Sequence, residues 1–168
     1  MPPTHVRLLT PDDGESLFHL RRAALLDSPF SFASSPEDDA YSSPEAVGRQ
    51  LGESQARVFG AFDEALLGML GMQRLPKIKT AHIAMIWGVF VTPSARGQGV
   101  AAQLLEAAIA HARTIPAIAS LRLSVNETTP GARRLYERMG FRVWGVEPDA
   151  LRVNGRSTSE AHMSLSLR

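Results

Sequence analysis

The chain has 168 residues, 44% of them hydrophobic and 21% charged, with a formal net charge of +1 at pH 7. That length suits one domain burying roughly two thirds of its unfolded surface, and a charge so near zero argues against a nucleic-acid or anionic-membrane partner held by bulk electrostatics. Cysteine is absent, which excludes disulfides, thiolate metal sites and a cysteine nucleophile.

Met1-Pro2-Pro3-Thr4-His5 carries no apolar run, so no secretory signal is expected. The longest apolar stretch, Ile83 to Val91, falls well short of the roughly 20 residues that span a bilayer. The expectation is a cytoplasmic protein, with no membrane partner and no metal. Val6 to Leu9 reads as a first strand. Thr10-Pro11-Asp12-Asp13 then opens a helix, with a Thr cap, Pro at the first position and acids in the first turn. Leu17, Leu20 and Ala24 share its inner face. Ser28 to Ser43, rich in Ser, Pro and acids, reads as a long loop, and Pro44 to about Glu53 as a short second helix.

Ala56 to Phe62 and Leu66 to Leu75 read as strands joined by Asp63-Glu64-Ala65, and Thr80 to Val91 as a long third one. Gly99 to Arg113 is a helix with Val100, Leu104, Ala108 and Ala112 at helical spacing. Ser120 to Val125 is a strand, and Thr129 to Met139 a helix with Ala132, Leu135, Tyr136 and Met139 on one face. Phe141 to Leu151 and Arg156 to Leu167 form a final hairpin turning at Asn154-Gly155. No linker or repeat divides the chain, so residues 1–168 are expected to form a single domain, an α/β (α+β) fold of mixed sheet and covering helices.

The richest stretch is Val89-Phe90-Val91-Thr92-Pro93-Ser94-Ala95-Arg96-Gly97-Gln98-Gly99-Val100-Ala101. A strand meets a Pro stop, then a glycine turn, then a strong helix. Such a junction points main-chain N–H groups and a helix N-terminus at one spot, a seat for phosphate. Gly97 and Gly99 remove side chains that would hold the phosphates away. A tight turn with no ligand is the plain alternative. The full dinucleotide fingerprint and the Gly-Lys-Ser/Thr of a P-loop are both missing.

Arg96-x-x-Gly99-x-Ala101, preceded by Val-x-x-Pro, resembles the acyl-CoA loop of the GNAT superfamily of N-acetyltransferases, Arg/Gln-x-x-Gly-x-Gly/Ala. Ala132-Arg133-Arg134-Leu135-Tyr136-Glu137-Arg138-Met139-Gly140-Phe141 resembles the later Ala-x-x-Leu-Tyr helix of the same family. The resemblance implies a mostly antiparallel mixed sheet of about six to seven strands, flanked by about four helices and splayed between its central strands. It implies acetyl-CoA as co-substrate. Arg96, Gly97, Gln98, Gly99, Val100, Ala101 and Ala102 would then meet the pyrophosphate, and main-chain groups of Val89, Phe90 and Val91 would pair with the pantetheine arm. Gly88 either marks a bulge that begins the splay or allows close packing near Trp87. Where many relatives carry an Asn that bonds the CoA arm, this chain has Thr129, with Asn126 shortly before it. Both are candidates for that contact. Thr129 is equally a helix cap followed by Pro130, and Asn126 equally a strand end.

The implied reaction is acetyl transfer to an amine by direct attack. Gly52-Glu53-Ser54-Gln55-Ala56 approaches a nucleophile elbow but precedes a strand and lacks its last Gly. An N–H freed near Val89 is the natural donor to the oxyanion. Tyr136 is the catalytic candidate, serving the thiolate leaving group, with a core aromatic as the alternative. A thiol near pKa 8.5 is a stronger acid than a phenol near 10, so full proton transfer is uphill by about 2 kcal/mol and a hydrogen bond to sulfur is the expected contribution. At a position where some relatives carry a Glu base, this chain has Met85. His82, Glu127, Glu37, Asp38 and Asp39 are weaker candidates, more naturally structural or solvated. An α-amino group near pKa 7.7 to 8.0 is about a tenth neutral at pH 7, a lysine amine fewer than about one in a thousand. Lack of an obvious base therefore points to low-pKa amines.

By the same resemblance the acceptor, a small-molecule or peptide amine, lies between the first helices and the last hairpin. Phe30, Phe32 and Trp87 are candidates to line its pocket. A homodimer is open. Two alternatives remain at this stage: an acyl-CoA-binding sensor of the same fold without turnover, and an unrelated nucleotide-binding module.

Overall fold

Seven strands build one sheet in the computed structural model, which describes residues 4–53 and 55–168. Met1 to Pro3 and Ser54, with the expectations attached to them, lie outside the described residues. In chain order the elements are β1 (His5–Leu8), α1 (Gly14–Asp27), α2 (Pro44–Glu53), β2 (Arg57–Phe62) and β3 (Leu66–Arg74). They continue with β4 (Ile83–Val91), α3 (Val100–Arg113), β5 (Ser120–Asn126), α4 (Pro130–Arg138), β6 (Arg142–Val153) and β7 (Arg156–Ser166). The strand order is β1-β2-β3-β4-β5-β7-β6. Among the described residues β4–β5 is the one parallel pairing.

Alternation along the strands creates two cores. Val58 and Met69 face a cluster with Leu17, Leu20 and Ala24 of α1 and Val47 of α2. Their neighbours Phe59 and Leu70 face the other side, against Leu104, Leu105 and Ala108 of α3. Successive side chains of a strand point to opposite faces, so both faces of β2 and β3 are apolar and both are covered. Leu104 and Leu105 are fully buried, each contributing about 1.5–3 kcal/mol relative to exposure.

Several boundaries differ from the sequence reading. Thr80 closes a 3-10 turn, Ile78–Thr80, donating its N–H to the carbonyl of Lys77 at 2.9 Å, and β4 starts only at Ile83. A 3-10 turn at Pro11–Asp13 precedes α1, because the Asp13 carboxylate accepts from the Thr10 N–H at 2.8 Å and from Arg7. The loop after α1 holds a further 3-10 turn, Pro29–Ser31. The last hairpin turns at Asn154-Gly155 as expected, although β6 runs past the expected Leu151 to Val153; Asn154 and Gly155 have φ of 50° and 78°, the left-handed pair of a type I′ turn.

The sheet opens in its middle. The β4–β5 ladder spans only Ile83–Met85 against Ser120–Arg122, although β4 continues to Val91 and β5 to Asn126. Gly88 sits just beyond, at φ +63°. Across β3 the register jumps from Gly71↔Trp87 to Met69↔Phe90, so β4 carries one extra residue there. This is a bulge, and a left-handed glycine is what permits it. Gly71 has a steric reason: a Cβ on it would lie 2.2 Å from the Trp87 ring, which crosses β3 at that point. No helix of the described residues is long and apolar enough to cross a membrane.

Candidate active site

A cleft of about 310 Å³ fills the gap between the diverging strands. Its walls are Ile86 to Val89 of β4 on one side and Leu123 to Asn126 of β5 on the other. Helix α4 closes one end with Ala132 and Tyr136, and Arg21 with Phe32 closes another. Among the described residues two charged side chains line it, Arg21 and Glu160. A second cavity of about 330 Å³ shares Arg21, Ser34 and Trp87 with the first and extends past Tyr41, Leu51 and Val58.

Tyr136 is buried in the core face of α4, its ring edge-on to Phe141 at 6.0 Å. Burial pushes its phenol up to about 12. The hydroxyl makes no hydrogen bond among the described residues, and its side chain lines the cleft. A buried phenol normally bonds a partner; here the open direction is the cleft. Such a group stays protonated throughout the neutral range and offers a donor to whatever enters.

The turn between β4 and α3 is built to leave amides free. Gly97 and Gly99 stand at φ +74° and +80°, and nothing lies within 4 Å of where a Cβ would project from either. Gly99 is the N-cap of α3, and no side chain caps that end. Among the described residues none accepts a hydrogen bond from the N–H groups of Gly97, Gln98, Gly99, Val100, Ala101 or Ala102. Six amides converging on a helix N-terminus suit a phosphate.

Arg96 belongs to that turn but turns its side chain away from it. Nε donates to the carbonyl of Val91 at 3.0 Å and Nη2 to Asp27 at 2.5 Å, and the guanidinium lies 5.5 Å from the Phe90 ring. The Arg96 and Ser28 hydrogen bonds hold the Asp27 carboxyl below the usual range. The Arg96 side chain thus ties the turn to the end of α1. Gln98 donates to the Ser94 carbonyl at 3.1 Å, closing the same turn.

Val89 reaches the cleft, whereas the Phe90 and Val91 side chains enter the two cores. Beyond Met85 the β4 backbone has, among the described residues, no strand beside it on the β5 side. Asn126 is buried and already engaged: Nδ2 donates to Thr158 Oγ1 at 2.8 Å, and Oδ1 accepts from the Thr128 N–H at 3.1 Å and its hydroxyl at 3.0 Å. Thr129 precedes Pro130 at the start of α4, but its hydroxyl donates to the Asn126 carbonyl at 2.9 Å and accepts no hydrogen bond from the first turn of the helix. Both line the cleft, yet Asn126 is tied to Thr158 of β7 and to Thr128, and the Thr129 hydroxyl to the β5–α4 corner.

Phe32 and Trp87 line the cleft, while Phe30 lies apart from it under Arg156, 5.2 Å from ring to guanidinium. Of the candidate bases, His82, Glu37, Asp38 and Glu127 are exposed and off the cleft, and Met85 lies in the closed part of the ladder. Asp39 is not solvated. It pairs with Arg21 at 2.7 Å. Burial would raise its pKa, but Arg21, together with Ser34 and the Tyr41 N–H, lowers it overall. Arg21 was visible in principle as the charged member of the Leu17, Leu20, Arg21, Ala24 face of α1. Glu160 reaches the cleft only through the β5–β7 register, where it stands opposite Asn126.

The sequence model described as the acetyltransferase (GNAT) family matches residues 18–141. Solved structures share the fold over nearly the whole chain. An acetyltransferase of the GNAT family from Streptococcus pneumoniae superposes with a TM-score of 0.84 at 19% identity, covering 98% of this chain and 99% of that one. An N-acetyltransferase from Staphylococcus aureus Mu50 gives 0.85 at 16% identity, covering 99% of each. The yncA protein of Salmonella typhimurium, solved with its cofactor acetyl-CoA, gives 0.85 at 17% identity, covering 99% and 95%.

Proposed function

The chain belongs to the acetyltransferase (GNAT) family, and from that premise we propose that it moves an acetyl group from acetyl-CoA to a primary amine, of a small molecule or of a peptide or protein N-terminus, by direct attack in a ternary complex. The observation that carries the reading is the three-residue ladder between β4 and β5, which opens a cleft reaching Tyr136 from the strand that leads into the amide-rich turn.

The chemistry assigned to each residue follows from its surroundings. The free amides of residues 97–102 hold the pyrophosphate, and Arg96 keeps their turn in shape through Asp27 and Val91. The unpaired edge of β4 around Val89 offers main-chain groups to the pantetheine amides and an N–H to the carbonyl oxygen that gains charge during attack. Tyr136 presents its proton to the sulfur as the C–S bond breaks. With the buried phenol near 12 and a solvated thiol near 8.5, complete transfer would be uphill by about 5 kcal/mol. Burial disfavours the thiolate too, which narrows that gap. Hydrogen bonding to the sulfur remains the main contribution. The acceptor enters on the side of Arg21, Phe32 and Trp87.

The test is thiol release by the purified protein given acetyl-CoA and a panel of primary amines. With no cysteine in the chain, the protein contributes no background thiol. Release that depends on an amine supports the reading. Tight binding of acetyl-CoA with no release on any amine supports an acyl-CoA sensor in its place.

A further inference from the structure

Once the acceptor is an amine, its proton needs a destination, and among the described residues the cleft holds a single carboxylate. Glu160 of β7 is half-buried, lines the same cleft as Tyr136, and stands opposite Asn126 across the β5–β7 ladder. We infer that Glu160 holds the acceptor's ammonium group and takes its proton before attack. This rests on the acetyltransferase reading above.

The groups around Glu160 suit that work. Glu147 faces it from β6 in register, and His162 follows on the same face of β7. Glu147 is committed to His162, Nε2 to Oε2 at 2.8 Å, with Ser124 of β5 3.4 Å from Nδ1 of that ring. Asn126 lies opposite on β5, and Tyr136 of α4 and Arg21 of α1 line the same cleft. Arg21 is neutralised by Asp39, so it does not compete with an incoming cation for Glu160. Burial first, then the Glu147 charge, raises the Glu160 pKa, while His162 and Asn126 pull it down. A carboxylate so placed is more basic than a solvated one, which is what a proton acceptor needs.

The step balances without any further reactant. The ammonium gives one proton to the Glu160 carboxylate. The nitrogen lone pair forms the C–N bond at the acetyl carbonyl, and the C–S bond breaks with its electron pair leaving on sulfur. The Tyr136 hydroxyl holds that sulfur by a hydrogen bond, and the second nitrogen proton passes to the thiolate through solvent. Amide and thiol result, and Glu160 returns its proton to solvent. This widens the acceptor class from low-pKa amines to ordinary alkyl amines, which arrive charged.

The experiment compares native enzyme and Glu160→Gln on the alkyl amine of the panel, pKa near 10, that the native enzyme acetylates fastest. Native kcat/KM is expected to be flat from about pH 6 to 9. The variant depends on neutral amine from solution, so its kcat/KM rises tenfold per pH unit. At pH 7 it is expected to be lower by at least about 100-fold, with acetyl-CoA affinity within twofold of native. The native profile alone is an independent reading, should the variant misfold. A native kcat/KM that climbs tenfold per unit over that range, or a folded variant with native rates, overturns the assignment of Glu160 and leaves acetyl transfer standing. A native protein that acetylates no amine removes both.

Discussion

Arg21 and Asp39 form a two-point ion pair, Nη2 to Oδ1 at 2.7 Å and Nε to Oδ2 at 3.1 Å, with side chains only 10% and 7% exposed. The guanidinium lies 4.9 Å from the Phe32 ring and 5.9 Å from the Tyr41 ring. A Cβ at Gly88 would come within 3.3 Å of its Nη1. One arginine thus joins α1, the loop after it and the bulge of β4 at the wall between the two cavities.

Removing Asp39 leaves that charge buried and alone. Asp39→Ala is expected to lower stability by about 3–5 kcal/mol, measured by urea unfolding. Because the folded pKa of Asp39 is depressed, its contribution is present above the unfolded carboxyl value and is lost as pH falls below about 4. The native and Asp39→Ala stabilities therefore converge in acid. A loss under 1 kcal/mol at pH 7 would show that the pair adds little.

The chain has two tyrosines, and burial pushes both Tyr41 and Tyr136 up to about 12. Ultraviolet titration should accordingly find almost no tyrosinate at pH 10, where a free phenol is half ionised. Half-ionisation at pH 10 in the folded protein would mean that at least one ring is open to water.

Tyr136→Phe is expected to lower turnover on the order of 100-fold. Acetyl-CoA affinity and melting temperature should hardly change, since the hydroxyl makes no hydrogen bond among the described residues and its side chain lines the cleft, so its removal breaks no bond within the fold. Unchanged turnover would return Tyr136 to a packing role.

Gly99→Ala and Gly99→Asp separate shape from charge. At φ +80° with open space around it, alanine brings a strain of about 1–2 kcal/mol. Aspartate tolerates that conformation better but sets a carboxylate at the phosphate seat. The aspartate variant is expected to lose acetyl-CoA affinity by more than about 100-fold, the alanine variant by far less. Calorimetric titration reads both, and equal affinities would remove the turn from the site.

Much of the fold was legible because local rules and tertiary structure agree. The Pro stop, the two left-handed glycines and the apolar stripe of α3 specify the β4–turn–α3 junction within a short window, and Asn154-Gly155 does the same for the last hairpin. What stayed hidden depends on residues far apart in sequence. Asp39 lies in an acidic loop and reads as solvated until α1 brings Arg21 over it. Glu160 sits in a polar run, Ser157-Thr158-Ser159-Glu160, and gains meaning only from the β5–β7 register and the opening of the sheet. Asn126 looked free for a ligand, but its partners Thr158 and Thr128 come from β7 and from the corner it builds.

Amide hydrogen exchange with and without acetyl-CoA tests most directly whether the turn and the sheet opening bind the donor. The amides of residues 97–102 donate to no acceptor among the described residues, so they should exchange fast and slow markedly on binding, together with those around Val89. Protection confined to other parts of the chain, with this turn still exchanging freely at saturating acetyl-CoA, would contradict the account.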